Sequence, residues 1–459
     1  MKRIVVLFVV ITVLLTACKP AIPSSTSVPQ EPVQATLAPQ EKVTVTVWDF
    51  GGSEFQWMDD IAIPAYAEKH PNVTINHVGV VEDELGLKLE TAIAAGEAPD
   101  LVIFPPPRVI AAGQAMALDN FMATDGLKRE DYCPIFNSDN LFAGASLYQD
   151  KVYGLPIDTN IWAMIYNKKL FKEAGLPELT SKDYIDFDTW FAYARAINKP
   201  AETLDQRVWG STMFTPQFNS MNNYMSDPYV LGPDGRHAKG NADSDNWIHA
   251  FEVLTAAYKE DVTTETAGAM LADVQADMFL QGKLGMTYAA FGDAMAARDG
   301  GIDVGLTGQP VVTKGWTGNV GGWNTTYYMM AGTKHPEEAW QFLKFLSLEV
   351  PLLVPIGADA LSSSGGLPGL PCYQPLLKEE KITTMIGANP LVADFLELQS
   401  HYKKPPFSPD IWAATDPFNN AFVRMTEGGE DVTTVMHETA GEAQDILDGL
   451  WKEFDALGK

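Results

Sequence analysis

The sequence predicts an α/β protein of more than one domain, each a β-sheet flanked by helices. Between residues 43 and 116, short β-branched runs alternate with amphipathic stretches in the order β-α-β-α-β-α. That order gives a parallel sheet with helices on both faces. The chain is 459 residues long, and one hydrophobic core rarely grows past about 300 residues.

Val43-Thr44-Val45-Thr46-Val47-Trp48 alternates and is β-branched, which predicts the first strand. Residues 59–69 read as a helix stopped by His70-Pro71 and strained by Pro64. A strand at 73–81, a helix at 84–95 closed by Gly96, a short buried strand at 101–104 and a helix at 108–116 follow. Short strands recur at 285–290, 304–309 and 325–331. Helices are expected at 188–197 behind an Asp cap, at 246–258, at 336–348 behind Pro336, and at 433–450.

Hydrophobic residues make up 46% of the chain and charged residues 20%, an ordinary globular composition. The 32 basic and 59 acidic residues leave a net charge of −27. A field of that sign repels phosphate backbones, so nucleic acid is excluded as a partner.

Lys2 and Arg3 precede an apolar run over 4–15 and then Thr16-Ala17-Cys18. This reads as an export signal over 1–17. The run is shorter than the roughly 20 residues a membrane span needs. Leu15-Thr16-Ala17-Cys18 resembles the lipobox of bacterial lipoproteins, which implies cleavage before Cys18 and a lipid on its sulfur. Residues 18–42 are rich in Pro, Ser, Thr and Gln and read as a solvated tether. At about 3.1 Å per residue, such a tether reaches about 70 Å. The expected location is extracytoplasmic, held at the cell membrane by lipid. There Cys133 and Cys372 either pair or remain as two buried thiols.

Motifs for chemistry fail one by one. His437-Glu438-Thr439-Ala440-Gly441 lacks the second His of a zinc motif. Gly51-Gly52-Ser53-Glu54-Phe55 lacks the closing Gly of a nucleophile elbow. Asn241, Asp243, Asp245 and Glu252 mimic a calcium loop, but Asn246 stands where its Gly belongs, and a capped helix explains the same residues. No catalytic residue, metal or cofactor is therefore expected. A secreted glycosidase or lyase stays as the rival class, because a catalytic carboxylate pair meets only in space.

In open α/β sheets, ligands sit beyond the carboxyl ends of strands. Trp48 and Asp49 end the first strand and Phe104 ends the third. A polyhydroxy guest offers an apolar C–H face and a rim of hydroxyls, so it calls for flat rings beside carboxylates or amides. The chain has 11 Trp and 15 Tyr, several of them beside polar residues: Trp48-Asp49, Asp158-Thr159-Asn160-Ile161-Trp162, Phe291-Gly292-Asp293 and Gly321-Gly322-Trp323-Asn324. Asp49 and Glu54 serve equally well as helix-start acids. Trp190, Trp340 and Trp451 lie on helical faces and read as packing.

Several segments, in order, carry a family resemblance. They are Val45-Thr46-Val47-Trp48-Asp49-Phe50, Ala95-Gly96-Glu97-Ala98-Pro99-Asp100-Leu101-Val102, Val152-Tyr153-Gly154-Leu155-Pro156 and Tyr166-Asn167-Lys168-Lys169-Leu170-Phe171. Phe279-Leu280-Gln281-Gly282-Lys283-Leu284-Gly285-Met286-Thr287, His335-Pro336-Glu337-Glu338-Ala339-Trp340-Gln341-Phe342-Leu343 and Gly366-Leu367-Pro368 follow. Together they resemble the sugar-binding type of extracellular solute-binding protein of bacterial ABC importers, related to maltose-binding protein.

The resemblance implies a two-lobed periplasmic-binding-protein-like fold of type II, hinged around the ligand. It places one lobe at 43–156 plus 288–331 and the other at 157–287 plus 332–459, with crossings near 156–160, 285–290 and 330–335. It implies a monomer without enzymatic activity that hands a mono- or oligosaccharide to ABC permease subunits. The expected ligand residues are Trp48, Asp49, Glu54, Phe104, Asp158, Asn160, Trp162, Tyr288, Phe291, Asp293, Trp323, Asn324 and Trp412. Three other solutes stay open. A polyamine would suit Asp49, Glu54, Asp158 and Asp293, and glycerol phosphate would call on Arg108, Arg195 or Arg298. A peptide is the third.

Overall fold

A computed structural model describes residues 42–457, apart from 53–54, 139–140, 142–143, 204–205, 214–228, 265–277, 319–320, 357–365, 368 and 405. The expected signal over 1–17, the lipidation site Cys18, the tether up to residue 41 and the candidate Glu54 thus lie outside the described residues.

The strands, in chain order, are β1 (Val43–Asp49), β2 (Val73–Gly79), β3 (Leu101–Ile103), β4 (Leu147–Tyr148), β5 (Lys151–Val152), β6 (Gly154–Asn167), β7 (Trp209–Ser211), β8 (Leu284–Ala289), β9 (Val304–Thr307), β10 (Gly321–Met329) and β11 (Leu370–Pro371). One sheet runs in the order β2-β1-β3-β10-β6-β8-β7, with β9 and β11 also paired to β6. β4 and β5 form a separate two-stranded sheet. β1 is parallel to β2 and β3, as the β-α-β order predicts. β10 then enters antiparallel, with Tyr327 opposite Ile103 and Trp323 opposite Asn160. Alternation on β1 buries Val43, Val45, Val47 and Asp49.

The helix Glu82–Ala95 ends at Gly96, whose φ of 73° needs no Cβ. The helix Phe187–Ile197 starts at Asp186, whose carboxylate accepts from Thr189 N at 2.9 Å. Pro336–Leu348 matches its expected bounds. Pro64 is accommodated rather than strained. The helix runs on into Ile63–Lys69 through a wider turn over Met58–Ala62, where Ile63 N–H donates to Met58 O five residues back just ahead of Pro64. The helix expected at 108–116 shrinks to Pro107–Ala111, because Gly113 turns at φ 71°.

Among the described residues, three large buried apolar cores stand beside a small one of Ile110, Ala115, Leu141 and Tyr328. The first holds Val45, Val47, Leu89, Val102, Leu155, Ile157, Tyr327 and Leu343. The second joins Met164 and Tyr166 to Trp190, Trp247, Phe251, Phe418 and Met436. The third joins Ile161, Ala163 and Ile165 to Leu284, Phe291, Phe395 and Leu398. Strand β6 therefore leaves the first core near Ile157 and enters between the other two.

The other two crossings move. β8 packs wholly in the second and third cores, through Leu284, Met286 and Ala289, so the chain does not cross at 285–290. It returns along β10, which brings Tyr327 and Met329 to the first core. The helix Pro336–Leu348, expected in the second lobe, buries Ala339, Trp340, Phe342 and Leu343 in the first. The last crossing is β11, between Leu367 in the first core and Leu370 in the third. The misplacement has a simple cause: an amphipathic helix shows which face is buried but not against what.

Candidate functional site

β6, β10 and β11 lie side by side at the junction of the cores. Thr159 pairs with Asn324 on one flank and Leu370 on the other. Asp158 ties all three together. One carboxylate oxygen accepts from Thr325 N at 3.1 Å and the other from Gly369 N at 3.0 Å. Burial raises the pKa of this fully enclosed carboxyl, and its hydrogen bonds oppose the rise. Beside it, Cys133 and Cys372 are joined by a disulfide. Gly322 is required here, since a Cβ would sit 2.4 Å from Asn160 O and 2.8 Å from Ile135 Cδ1.

Rings gather on one face of this junction. Cross-strand partners share a face, as do residues two apart along a strand. Trp323 opposes Asn160, and Tyr288 opposes Met164. Trp162 stands between Asn160 and Met164, so its neighbours on that face are Trp323 and Tyr288. The ring centroids agree: 5.2 Å from Trp162 to Trp323 and 5.1 Å to Tyr288. All three residues are half-buried. Two more half-buried rings mark the carboxyl ends of β1 and β3, where Phe104 stacks on Phe50 at 5.9 Å and 11°. Phe104 adopts φ 41°, uncommon for a residue with a Cβ.

The acids are committed elsewhere. Asp49 is fully buried. Its oxygens accept from Gly51 N and Tyr327 Oη, both at 2.8 Å, and His77 Nε2 lies 2.8 Å away. His77 also meets Asp59 at 3.1 Å. Burial lowers the His77 pKa, but Asp49 and Asp59 outweigh it and leave it raised. The Tyr327 hydroxyl is pushed up by burial and by Asp49. Asp293 accepts from Ala290 N at 3.0 Å and caps the helix Phe291–Asp299. Asn160 Oδ1 accepts from Phe291 N at 3.0 Å and Ile161 N at 2.9 Å.

Of the expected ligand residues, Trp162, Tyr288 and Trp323 thus come together, with Phe104 at the end of β3. Asp49, Asp158, Asn160 and Asp293 serve as internal fasteners. Phe291 is buried against Phe395 with centroids 5.0 Å apart. Asn324 is buried on the opposite face from Trp323. Trp48 packs partly on the first core, and Trp412 stands 43% exposed on the short helix Ile411–Thr415. Each arginine considered for phosphate has its own acid: Arg108 with Glu90, Arg195 with Glu260 and Arg298 with Asp299. The acidic set considered for a polyamine is likewise occupied at Asp49, Asp158 and Asp293. Sequence reasoning passed over Phe50, although Gly51-Gly52 directly after it signals a strand end opening into a loop.

Residues 51–349 match the family model described as bacterial extracellular solute-binding protein, and the chain belongs to that family. Its members bind solutes and are not enzymes. The maltotriose-binding protein of Pyrococcus abyssi is 23% identical over 382 residues, 80% of this chain and 74% of the relative. An ABC substrate-binding protein of Listeria monocytogenes, solved in complex with cycloalternan, superposes with a TM-score of 0.67 at 17% identity, over 88% of this chain and 99% of that one. The Mycobacterium tuberculosis protein UgpB, solved with glycerophosphocholine, gives a TM-score of 0.67 at 15% identity, over 88% and 98%. The two structures share the two-lobed fold.

Proposed function

We propose that the protein captures an uncharged oligosaccharide between its lobes and delivers it to the permease of an ABC importer. The carrying observation is the Trp162–Trp323–Tyr288 ring cluster at the junction. Flat rings cover the C–H face of a sugar, and they suit a neutral guest where nearby acids are already paired. The maltotriose-binding relative supports the same ligand class. The lobes are formed by 43–157 with 325–367, and by 161–307 with 370–457, and they close by bending β6, β10 and β11. A lipid on Cys18 and the tether behind it hold the receptor near its permease as a monomer.

Titration of the purified protein with maltotriose, maltotetraose, mannotriose, spermidine and glycerophosphocholine, followed by Trp fluorescence and melting temperature, tests the reading. A saccharide should shift both signals. A response to spermidine or glycerophosphocholine alone would overturn it.

A further inference from the structure

Cys133 and Cys372 stand 239 residues apart in sequence and are joined by a disulfide. Both are fully buried in the first core. Cys133 N–H donates to Cys372 O at 2.8 Å, and Tyr132 pairs with Tyr373 as an antiparallel bridge, their ring centroids 5.1 Å apart. Tyr132 in turn stacks on Phe136 at 4.4 Å inside the same core. The segment around Cys133 is thus a fixed part of the first lobe. Leu370, two residues before Cys372, reaches the third core. The disulfide therefore stands at the last crossing between the lobes.

Its place answers a weakness in β11. β6 and β10 pair from Gly154 with Tyr328 to Trp162 with Gly321, a ladder long enough to hold both strands. Among the described residues, β11 meets β6 at Leu370 with Thr159 and Pro371 with Asp158, and Pro371 has no N–H to donate. So short a ladder is marginal by itself. The disulfide also backs β10, since Asn324 Oδ1 lies 3.4 Å from Cys133 Sγ. Asn324 is buried on the face opposite Trp323, so the covalent link and the rings occupy opposite faces of the same strands.

We infer that the Cys133–Cys372 disulfide is a positioning device for ligand binding, which holds β11 to the first lobe and confines lobe closure to the stretches of β6 and β10 that carry Trp162 and Trp323. This rests on the saccharide reading above and deepens it. Without the link, β11 follows either lobe, and the empty protein gains open arrangements that it loses again on closing. The disulfide touches no guest, so its effect is the same for every sugar. Loss of a direct contact, by contrast, discriminates between sugars.

The test is calorimetric titration of the wild-type protein and of the double variant Cys133→Ala/Cys372→Ala with maltotriose, maltotetraose and mannotriose. Affinity in the double variant should fall about tenfold, by the same factor for each sugar that the wild type binds. Stopped-flow Trp fluorescence should place the loss in faster dissociation. A lower melting temperature with wild-type affinity is what a merely stabilising link gives, and it would overturn the inference while leaving the saccharide reading standing. A loss that differs between sugars would do the same. If the double variant does not fold, hydrogen exchange of the wild type with and without its tightest sugar decides. Residues 369–373 should then exchange alike in both states, while 159–163 and 321–323 change; a sugar-dependent change at 369–373 overturns the inference. A wild-type protein that binds none of the three sugars would overturn both.

Discussion

Asp49 ends β1 and Trp162 lies within β6, and their surroundings are opposite. Around Asp49, both carboxylate oxygens are held, by Gly51 and Tyr327, with His77 pressed against them. Around Trp162, polar side chains give way to half-buried rings. The difference teaches that this molecule uses buried charge to fasten its frame and leaves aromatic surface half-covered, where the proposed guest would sit. Burying a carboxylate is tolerable only when hydrogen bonds and an opposite charge compensate it. A ring carries no such requirement and can wait half-covered for a ligand.

Asp49→Ala should separate the two regions most sharply. It strands His77 and Tyr327 in the interior, and removing one partner of a buried pair costs roughly 3–5 kcal/mol. Urea unfolding should show that loss, while sugar affinity of the remaining folded protein stays near the wild-type value. A variant that unfolds normally but loses affinity would reassign Asp49 to the ligand.

Trp162→Ala should do the converse. Removing a ring at the centre of a binding surface typically costs about 2 kcal/mol of affinity, roughly thirtyfold. Fluorescence titration with the best saccharide reads the loss, and circular dichroism should show an intact fold.

The raised pKa of His77 gives a smaller, pH-dependent effect. Folding favours the protonated imidazole, so this stabilisation is complete below the ordinary His pKa of about 6.5 and is lost as pH rises through the raised folded value. Melting temperature should decline across that window, and the decline should flatten in His77→Gln. An unchanged slope would show that the ion pair with Asp49 and Asp59 contributes nothing.

Trp412→Ala should have the least effect, within about 0.5 kcal/mol on stability and none on binding, because the ring stands 43% exposed on a short helix. A marked loss of sugar affinity would place a second ring surface there.

Much of the frame was legible one-dimensionally. Alternating Val and Thr declared β1, Asp186 and Gly96 bounded helices, and Pro336 opened one within a residue of its expected start. β6 was harder to read, since Pro156 interrupts a strand that is otherwise an almost unbroken buried run through both lobes. The helices Glu380–Ala388, Pro390–Ser400 and Pro417–Thr426 went unassigned, although proline at two of their starts was a usable signal.

The candidate site divides along the same line. Trp323 was reachable through the glycine pair before it, Trp162 through the polar residues that precede it, and Tyr288 through the family resemblance. Asp49, Asp158, Asn160 and Asp293 looked equally suitable, and nothing local distinguishes a carboxylate that greets a ligand from one that fastens a loop.

What the chain determined by itself was its list of strands and helices and the kind of side chain placed near each strand end. Those properties depend on neighbours within a few residues, through backbone sterics and the periodicity of apolar groups. Only the tertiary structure decided that the helix Pro336–Leu348 packs on the first core and that Asp158 fastens three bridging strands. Hydrogen bonds of this kind join groups as far apart in sequence as Tyr327 and Asp49, 278 residues. Their energy depends on distances of a few ångströms, which separation along the chain does not encode.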